Sequence, residues 1–305
     1  MLRPLPIRLL LALVLVLLSS GCLFRARKVE RVASTAPLKM ATQQDLIDYV
    51  NREAAKIRTM QATVDIDTTV GGAKKGKITD YQEIRGYVLA RKPNMLRMIG
   101  LLPVLRNQAF DMVSDGEDFK LYIAPKNRFI VGKNNERTPD GHQTLENLRP
   151  QHIYDALLLR EVDPEKEIAV LENEEELVRD KNGKQVEQSA YHLDIVRKGD
   201  HGWFLSRKII FSRTDLLPHR QLVYDDHGNL ATDARYEKYK NFEGITFPEQ
   251  IEILRPREEY DILLSVVKLQ LNGALADDKF TLEQPAGAEV VHLGVVVPAR
   301  APNSQ

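Results

Sequence analysis

Apolar residues in this chain recur at every second position, in short runs separated by turn sequences. That alternation restricts the fold more than any other feature. Ala62, Val64, Ile66, Thr68 and Val70 alternate with Thr63, Asp65, Asp67 and Thr69, a half-buried strand with one dry and one wet face. Gly71-Gly72 and Lys74-Lys75-Gly76-Lys77 supply the return, and a second strand runs near Ile78 to Ala90. Further strands fall near residues 94–100, 108–114, 118–123 and 127–132, then near 189–197, 203–211, 219–224, 231–239, 247–254 and 260–271. Their connections hold Asp115-Gly116, Pro125-Lys126-Asn127, Asn182-Gly183, Gly199-Asp200 and Gly228-Asn229, all turn chemistry. About a dozen strands joined in this way predict a mainly β fold, one large antiparallel sheet or barrel.

Two segments break the rhythm. Thr42 is placed to cap a helix, with Asp45 three residues on. Leu46, Val50, Ala54 and Ile57 then recur at helical spacing and give one apolar face. Residues 133–187 interrupt the strands, and Leu145, Leu148, Ile153, Leu157 and Leu158 predict a short helix around His152–Leu159, preceded by Pro150. Glu172–Leu177 reads as an acidic, solvated edge. The last segment, 284–305, carries Pro285, Pro298 and Pro302 and is expected to trail off the fold.

The first 22 residues have a different character. Arg3 and Arg8 accompany an unbroken apolar run from Leu9 to Leu18, followed by Ser19-Ser20-Gly21-Cys22. A run this short, with small residues after it, reads as a secretory signal peptide rather than a membrane span. Cys22 is the one cysteine in the sequence, so no intramolecular disulfide can form. The small-small-Cys ending resembles the lipobox of bacterial lipoproteins, in which the cysteine is acylated, commonly with palmitate, and becomes the new N-terminus. The usual Leu three residues before the cysteine is Ser19 here, and Leu18 sits one position earlier. The alternative is an ordinary signal peptide cut near Gly21, which leaves a lone thiol in an oxidising compartment. Residues 1–21 are thus read as leader and 22–42 as lipidated Cys22 plus flexible tether. Arg25, Arg27, Lys28 and Arg31 lie near the anchor, where they either touch anionic headgroups or serve only as a soluble linker.

Charge and motifs narrow the function classes. Lys plus Arg and Asp plus Glu are equal at 43 each, which is no nucleic-acid footprint. No His-Glu-x-x-His, Gly-x-Ser-x-Gly or phosphate loop is present. None of the seven histidines pairs with another at metal-ligand spacing on one helix. Asp65 and Asp67 lie on a solvated strand face, and Asp225-Asp226-His227-Gly228-Asn229 lacks the rest of a calcium loop. A non-enzymatic protein without cofactor or metal is expected.

Several segments resemble the LolA/LolB superfamily of periplasmic lipoprotein carriers and receptors. Arg85-Gly86-Tyr87-Val88-Leu89-Ala90 resembles its second strand. Leu96-Arg97-Met98-Ile99-Gly100-Leu101-Leu102-Pro103 resembles the strand and loop that present an exposed Leu in the receptor. Leu145-Glu146-Asn147-Leu148 with Ile153-Tyr154-Asp155-Ala156-Leu157 resembles the lid helix. Lys279-Phe280-Thr281-Leu282-Glu283-Gln284-Pro285-Ala286-Gly287-Ala288 resembles the closing strand. The resemblance spans about residues 43–290, leaving 291–305 as a tail. It implies a strongly curved, half-open barrel with an N-terminal helix and a helical lid, whose apolar interior holds acyl chains of lipids or lipoproteins. Candidate lining residues are Val64, Ile66, Val88, Leu96, Met98, Phe110, Met112, Phe119, Leu121, Leu193 and Ile195. The other reading of these residues is ordinary core packing.

Leu101, Leu102, Val104 and Leu105 form a sharper pattern, because large apolar residues beside Pro103 are unexpected in a hairpin connection. They are read either as a loop tucked under the barrel or as a tip touching membrane or cargo. Leu23 follows the anchor, where Asp would resemble an inner-membrane retention signal. The expectation is therefore an outer-membrane lipoprotein facing the periplasm, acting in lipoprotein localisation, with a periplasmic carrier protein as a partner. The rival readings are an envelope-stress sensor and a ligand-free scaffold.

Overall fold

The computed structural model describes residues 36–72, 76–104, 106–134, 149–179, 183–200 and 202–293. The expected leader, Cys22, most of the tether, Leu105, Leu145, Leu148 and residues 294–305 lie outside the described residues. The chain divides into two compact units, one of residues 1–35 with 177–188 and one of 36–176 with 189–305.

The larger unit opens with helix α1 (Gln43–Lys56). Thr42 caps it as the sequence predicts: its hydroxyl accepts from the Asp45 amide, and the Asp45 carboxylate accepts from the Thr42 amide, a full capping box. Leu46, Val50 and Ala54 form the buried face. Immediately before the helix the chain is already fixed to the fold: the Lys39 amide donates to the Arg213 carbonyl at 2.6 Å. The flexible stretch expected through residue 42 therefore ends earlier.

Seven strands come next: β1 (Thr59–Gly72), β2 (Lys77–Asp80), β3 (Ile84–Arg91), β4 (Met95–Leu101), β5 (Gln108–Ser114), β6 (Asp118–Ile123) and β7 (Arg128–Lys133). Helix α2 (Pro150–Leu157) interrupts them, beginning two residues before the expected helix because Pro150 occupies the first turn. Seven more complete the main array: β8 (Glu167–Arg179), β9 (Gln185–Gly199), β10 (Gly202–Ser212), β11 (Pro218–Tyr224), β12 (Leu230–Phe242), β13 (Ile245–Arg255) and β14 (Tyr260–Leu271). A last short strand, β15 (Glu289–His292), comes after a 3₁₀ turn at Asp277–Phe280.

The strands form one curved, open sheet in the order β15-β7-β6-β5-β4-β3-β1-β14-β13-β12-β11-β10-β9-β8, with β2 attached to β1. Every pairing with a defined register is antiparallel except β15 on β7, which is parallel. β15 lies within the segment expected to trail off, so the fold continues through His292. The acidic segment read as a solvated edge lies in an edge strand, β8, where alternate residues need not be apolar.

Two facing glycines mark a tight bend. Gly86 and Gly100 are cross-strand partners on β3 and β4. A Cβ on Gly86 would strike Ile66, and one on Gly100 would strike the Phe110 ring, so side chains from the flanking strands fold over bare backbone.

The main core fills the concave face. Ile66, Val88, Leu96, Met98, Met112, Phe119 and Leu121 of β1 and β3–β6 meet Ile251, Ile253, Ile262 and Leu264 of β13 and β14, with Ile153 and Leu157 of α2 laid on them. A second cluster sits under α1, where Leu46 and Val50 cover Tyr191, Leu193, Ile195, Ile209 and Phe211. On the opposite face of β5–β7, the segment after β14 covers Val113 and Phe129 with Leu282 and Ala288. There Arg97 grips the buried Asp111 with two hydrogen bonds, at 3.0 and 2.7 Å.

Candidate functional site

The eleven candidate lining residues are all buried, but the structure divides them. Val64, Ile66, Val88, Leu96, Met98, Phe110, Met112, Phe119 and Leu121 belong to the main core. Leu193 and Ile195 pack instead beneath α1. Leu96, Met112, Leu121, Leu193 and Ile195 have no exposed surface: α2 and the facing strands cover the first three, and α1 covers the last two. None of the eleven lines any of the three openings described next.

Two of the openings flank the C-terminal end of α2. On one side is an apolar slot of about 50 Å³. Tyr49, Ala54 and Ile57 contribute from α1 and its C-terminus, Ala156 to Leu159 from α2 and the residues after it, and Tyr236, Ile245 and Phe247 from β12 and β13. Ile57, Ala156, Leu157, Leu158, Tyr236 and Phe247 are also members of the main core. The slot is thus the point where that core reaches the surface. Thr246 is exposed at its rim. Lys92 and Glu53 add polarity. The Lys92 ammonium donates to the Ala54 carbonyl at 2.5 Å, at the negative end of α1, and burial lowers its pKa. The Tyr236 hydroxyl is buried without a hydrogen-bond partner. Burial raises its pKa, so it stays a neutral donor.

On the other side is a polar cavity of about 200 Å³, lined by Asp155, Arg160, Arg197, Phe204, Ser206, Arg207, Gln221, Val223, Tyr224 and Asp226. Arg207 is 3% exposed. It ties the sheet to the segment after α2, donating to the Arg160 and Glu161 carbonyls at 2.5 and 2.7 Å. Glu167 accepts from Arg160 at 2.7 Å and from Arg207 at 3.3 Å. Burial, together with neighbouring Arg160, lowers Arg207 to about 10. Asp155 accepts from Gln151 through its carboxylate and from Gln221 through its carbonyl, and burial raises its carboxyl to about 6.

A third space, about 440 Å³, is an open groove lined by Asp65, Glu83, Arg85, Tyr87, Val267, Lys268 and the loop residues Leu101, Leu102, Pro103 and Arg106. Leu101 ends β4, and Leu101 and Leu102 are half-buried; Val104 is 89% exposed. Hydrogen bonds from the Leu102 amide to the Asn107 carbonyl and from the Arg106 amide to the Leu102 carbonyl close the loop's base. The loop is therefore a shaped projection with Val104 at its tip.

Among the described residues, one group could bring metal-ligating atoms together: Asp225, Asp226 and His227. The Asp225 carboxylate is already taken up by the His227 and Asn229 amides, the Asn229 side chain and Arg257. This is a turn held by an aspartate. No helix among the described residues is long and apolar enough to cross a membrane.

The sequence reading missed Tyr49, Lys92, Tyr236 and Phe247 at the slot and Arg160, Arg197 and Arg207 at the polar cavity. Only the run Leu157-Leu158-Leu159 hinted at the slot, since three consecutive leucines cannot all face the sheet from a short helix end.

No protein-family model matches the chain, and no curated protein matches it. Among solved structures it is similar to a DUF1329 family protein from Desulfovibrio piger, at 16% identity over 78% of this chain and 95% of that one, with a TM-score of 0.49. It is also similar to a LolA superfamily protein from Nitrosomonas europaea, at 16% identity over 80% and 99% of the two chains, TM-score 0.45. A Vibrio parahaemolyticus domain described as outer membrane lipoprotein-sorting matches at 14% identity over 78% and 97%, TM-score 0.47. At these identities the likeness concerns the fold. The architecture expected from the sequence is the one found: an N-terminal helix, a run of strands, a helical insertion, more strands, and an open curved sheet.

Proposed function

We propose that this protein is a periplasmic carrier or receptor for acyl chains, anchored through Cys22 to the outer membrane and acting in lipoprotein localisation. One observation carries the acyl-binding part: the slot between α1 and α2 has apolar walls continuous with the main core. The slot is too small for a whole chain, so an acyl chain takes the place of α2 side chains. The magnitudes allow this exchange. Withdrawing Ile153, Tyr154 and Leu157 of α2 costs roughly 5–9 kcal/mol at the usual value per buried side chain. Burying a sixteen-carbon chain returns roughly 12 kcal/mol before the entropy of association. The two are comparable, which suits a protein that must both take up and release its cargo. Val104, with Leu101, Leu102 and Leu105, is proposed as the element that touches membrane or cargo during transfer.

The test is a bulky change at the rim. Thr246→Trp covers the slot without entering the core, and should reduce binding of a fluorescent fatty acid at least about tenfold while leaving the fold unchanged. Undiminished binding by this variant rejects the slot as the acyl site. For the anchor, Cys22→Ala should release the protein from the membrane fraction.

A further inference from the structure

We propose that the arginine-lined cavity on the other side of the C-terminal end of α2 is a binding site for a phosphate-type anion, separate from the acyl slot.

Three guanidinium groups, those of Arg160, Arg197 and Arg207, line a space of about 200 Å³ together with the hydroxyl-bearing Ser206 and Tyr224 and the Gln221 amide. The carboxylates nearby are largely engaged. Glu167 lies between Arg160 and Arg207. Asp226 holds the His227 ring at 2.6 Å. Arg197 has no ion pair or side-chain hydrogen bond among the described residues, although it lines the cavity. Arg160 and Arg207 share Glu167, and Asp155 and Asp226 also line the space, so Arg197 is the guanidinium left with open donors for an anion. The planar donor fork of arginine matches phosphate oxygens.

Arg197 and Phe204 are cross-strand partners that line the cavity, and the next pair toward the β9–β10 turn, Lys198 with Trp203, alternates to the opposite face of the sheet. Trp203 is 55% exposed and is the only tryptophan in the chain. An exposed indole beside basic side chains suits the boundary between headgroup and hydrocarbon. The phosphate group therefore has two sources, a free anion and a lipid headgroup, which the experiment distinguishes. Asp155 is the group that opposes an anion here. Its carboxyl lines the cavity, so its charge sets how tightly the site binds.

The test is calorimetric titration of the full chain, with Trp203 fluorescence alongside, against inorganic phosphate and against dihexanoyl phosphatidate. Arg197→Gln should weaken binding about tenfold, since it removes one charged donor fork from a side chain that supports no other contact. Asp155→Asn should tighten it about threefold or more by removing like charge. Thr246→Trp should leave it unchanged, which separates this site from the acyl slot. Binding of both probes with these responses supports a phosphate site open to either source. Binding of phosphatidate alone, lost in Arg197→Gln, assigns the lipid headgroup, and binding of phosphate alone assigns the free anion. If neither probe binds, or Arg197→Gln binds as tightly as the wild type, the proposal is overturned.

Discussion

The two openings that flank the C-terminal end of α2 carry opposite chemistry. At the slot, Ile57, Leu158 and Phe247 present hydrocarbon. At the polar cavity, Arg160, Arg197 and Arg207 present charge. Strand β11 shows how one sheet builds both. It gives Pro218 to the slot and, a few residues on, Gln221, Val223 and Tyr224 to the cavity. α2 repeats the division, with Ala156 and Leu157 toward the slot and Asp155 toward the cavity. Strand and helix geometry therefore decide which way a side chain points, and residue chemistry decides what each opening can hold. The arrangement matches an amphipathic ligand or two separate ones, and variants at each opening separate these cases.

The largest effect is expected in neither opening but in the packed core over β6. Phe119 is 1% exposed, and Arg149 stacks over its ring at 4.9 Å. Phe119→Ala should cost about 3–5 kcal/mol of stability in urea unfolding, the usual cost of emptying a buried aromatic site. A much smaller loss would mean that this core is itself loosely filled, and the contrast between a solid core and the open spaces beside α2 would fail.

The next effect is a pH dependence that begins at the polar cavity. Asp155 is held at about 6 by burial, above the ordinary 3.8. Its folded state takes up a proton more readily than its unfolded state. Stability from this group is therefore fully present below about pH 4 and is lost as pH rises through 6. Asp155→Asn should remove that loss and be about 1–2 kcal/mol more stable than wild type at pH 7.5, with no such gain at pH 4. Thermal unfolding at both pH values checks it. On the outer face, Asp261 is raised to about 7 by burial and by adjoining Glu252. Asp261→Asn should act in the same direction one pH unit higher. A gain that is equal at both pH values would show that these carboxyls matter through packing and not through charge.

The same division governs how much could be read from the sequence. Local patterns were legible. Thr42 and Asp45 announced the α1 cap, and the runs at 108–114, 118–123 and 260–271 coincide with β5, β6 and β14. The Glu-rich β8 was not legible as a strand, because an edge position lets Glu172, Glu174 and Glu175 face water on a strand. β15 was missed because two valines supply almost no periodicity. The split of Leu193 and Ile195 from the other nine candidates depends on where α1 lies, which no local pattern records. Both openings join residues from distant parts of the chain, such as Lys92, Leu158 and Phe247, so they exist only once the sheet has curved.

The smallest effect on stability should come from the loop tip. Val104 is almost fully exposed, so Val104→Glu should change unfolding free energy by no more than about 0.5 kcal/mol. The same change should lower association with liposomes, measured by flotation. Unchanged flotation would remove the loop from the transfer proposal.

The central claim, that the concave face exchanges α2 side chains for an acyl chain, is tested most directly by native mass spectrometry of the full-length protein purified from cells. The account predicts a retained acyl-bearing lipid in the wild type and its absence in the equally folded Thr246→Trp variant. A wild-type protein that is folded, carries no lipid and takes up no added fatty acid would contradict it.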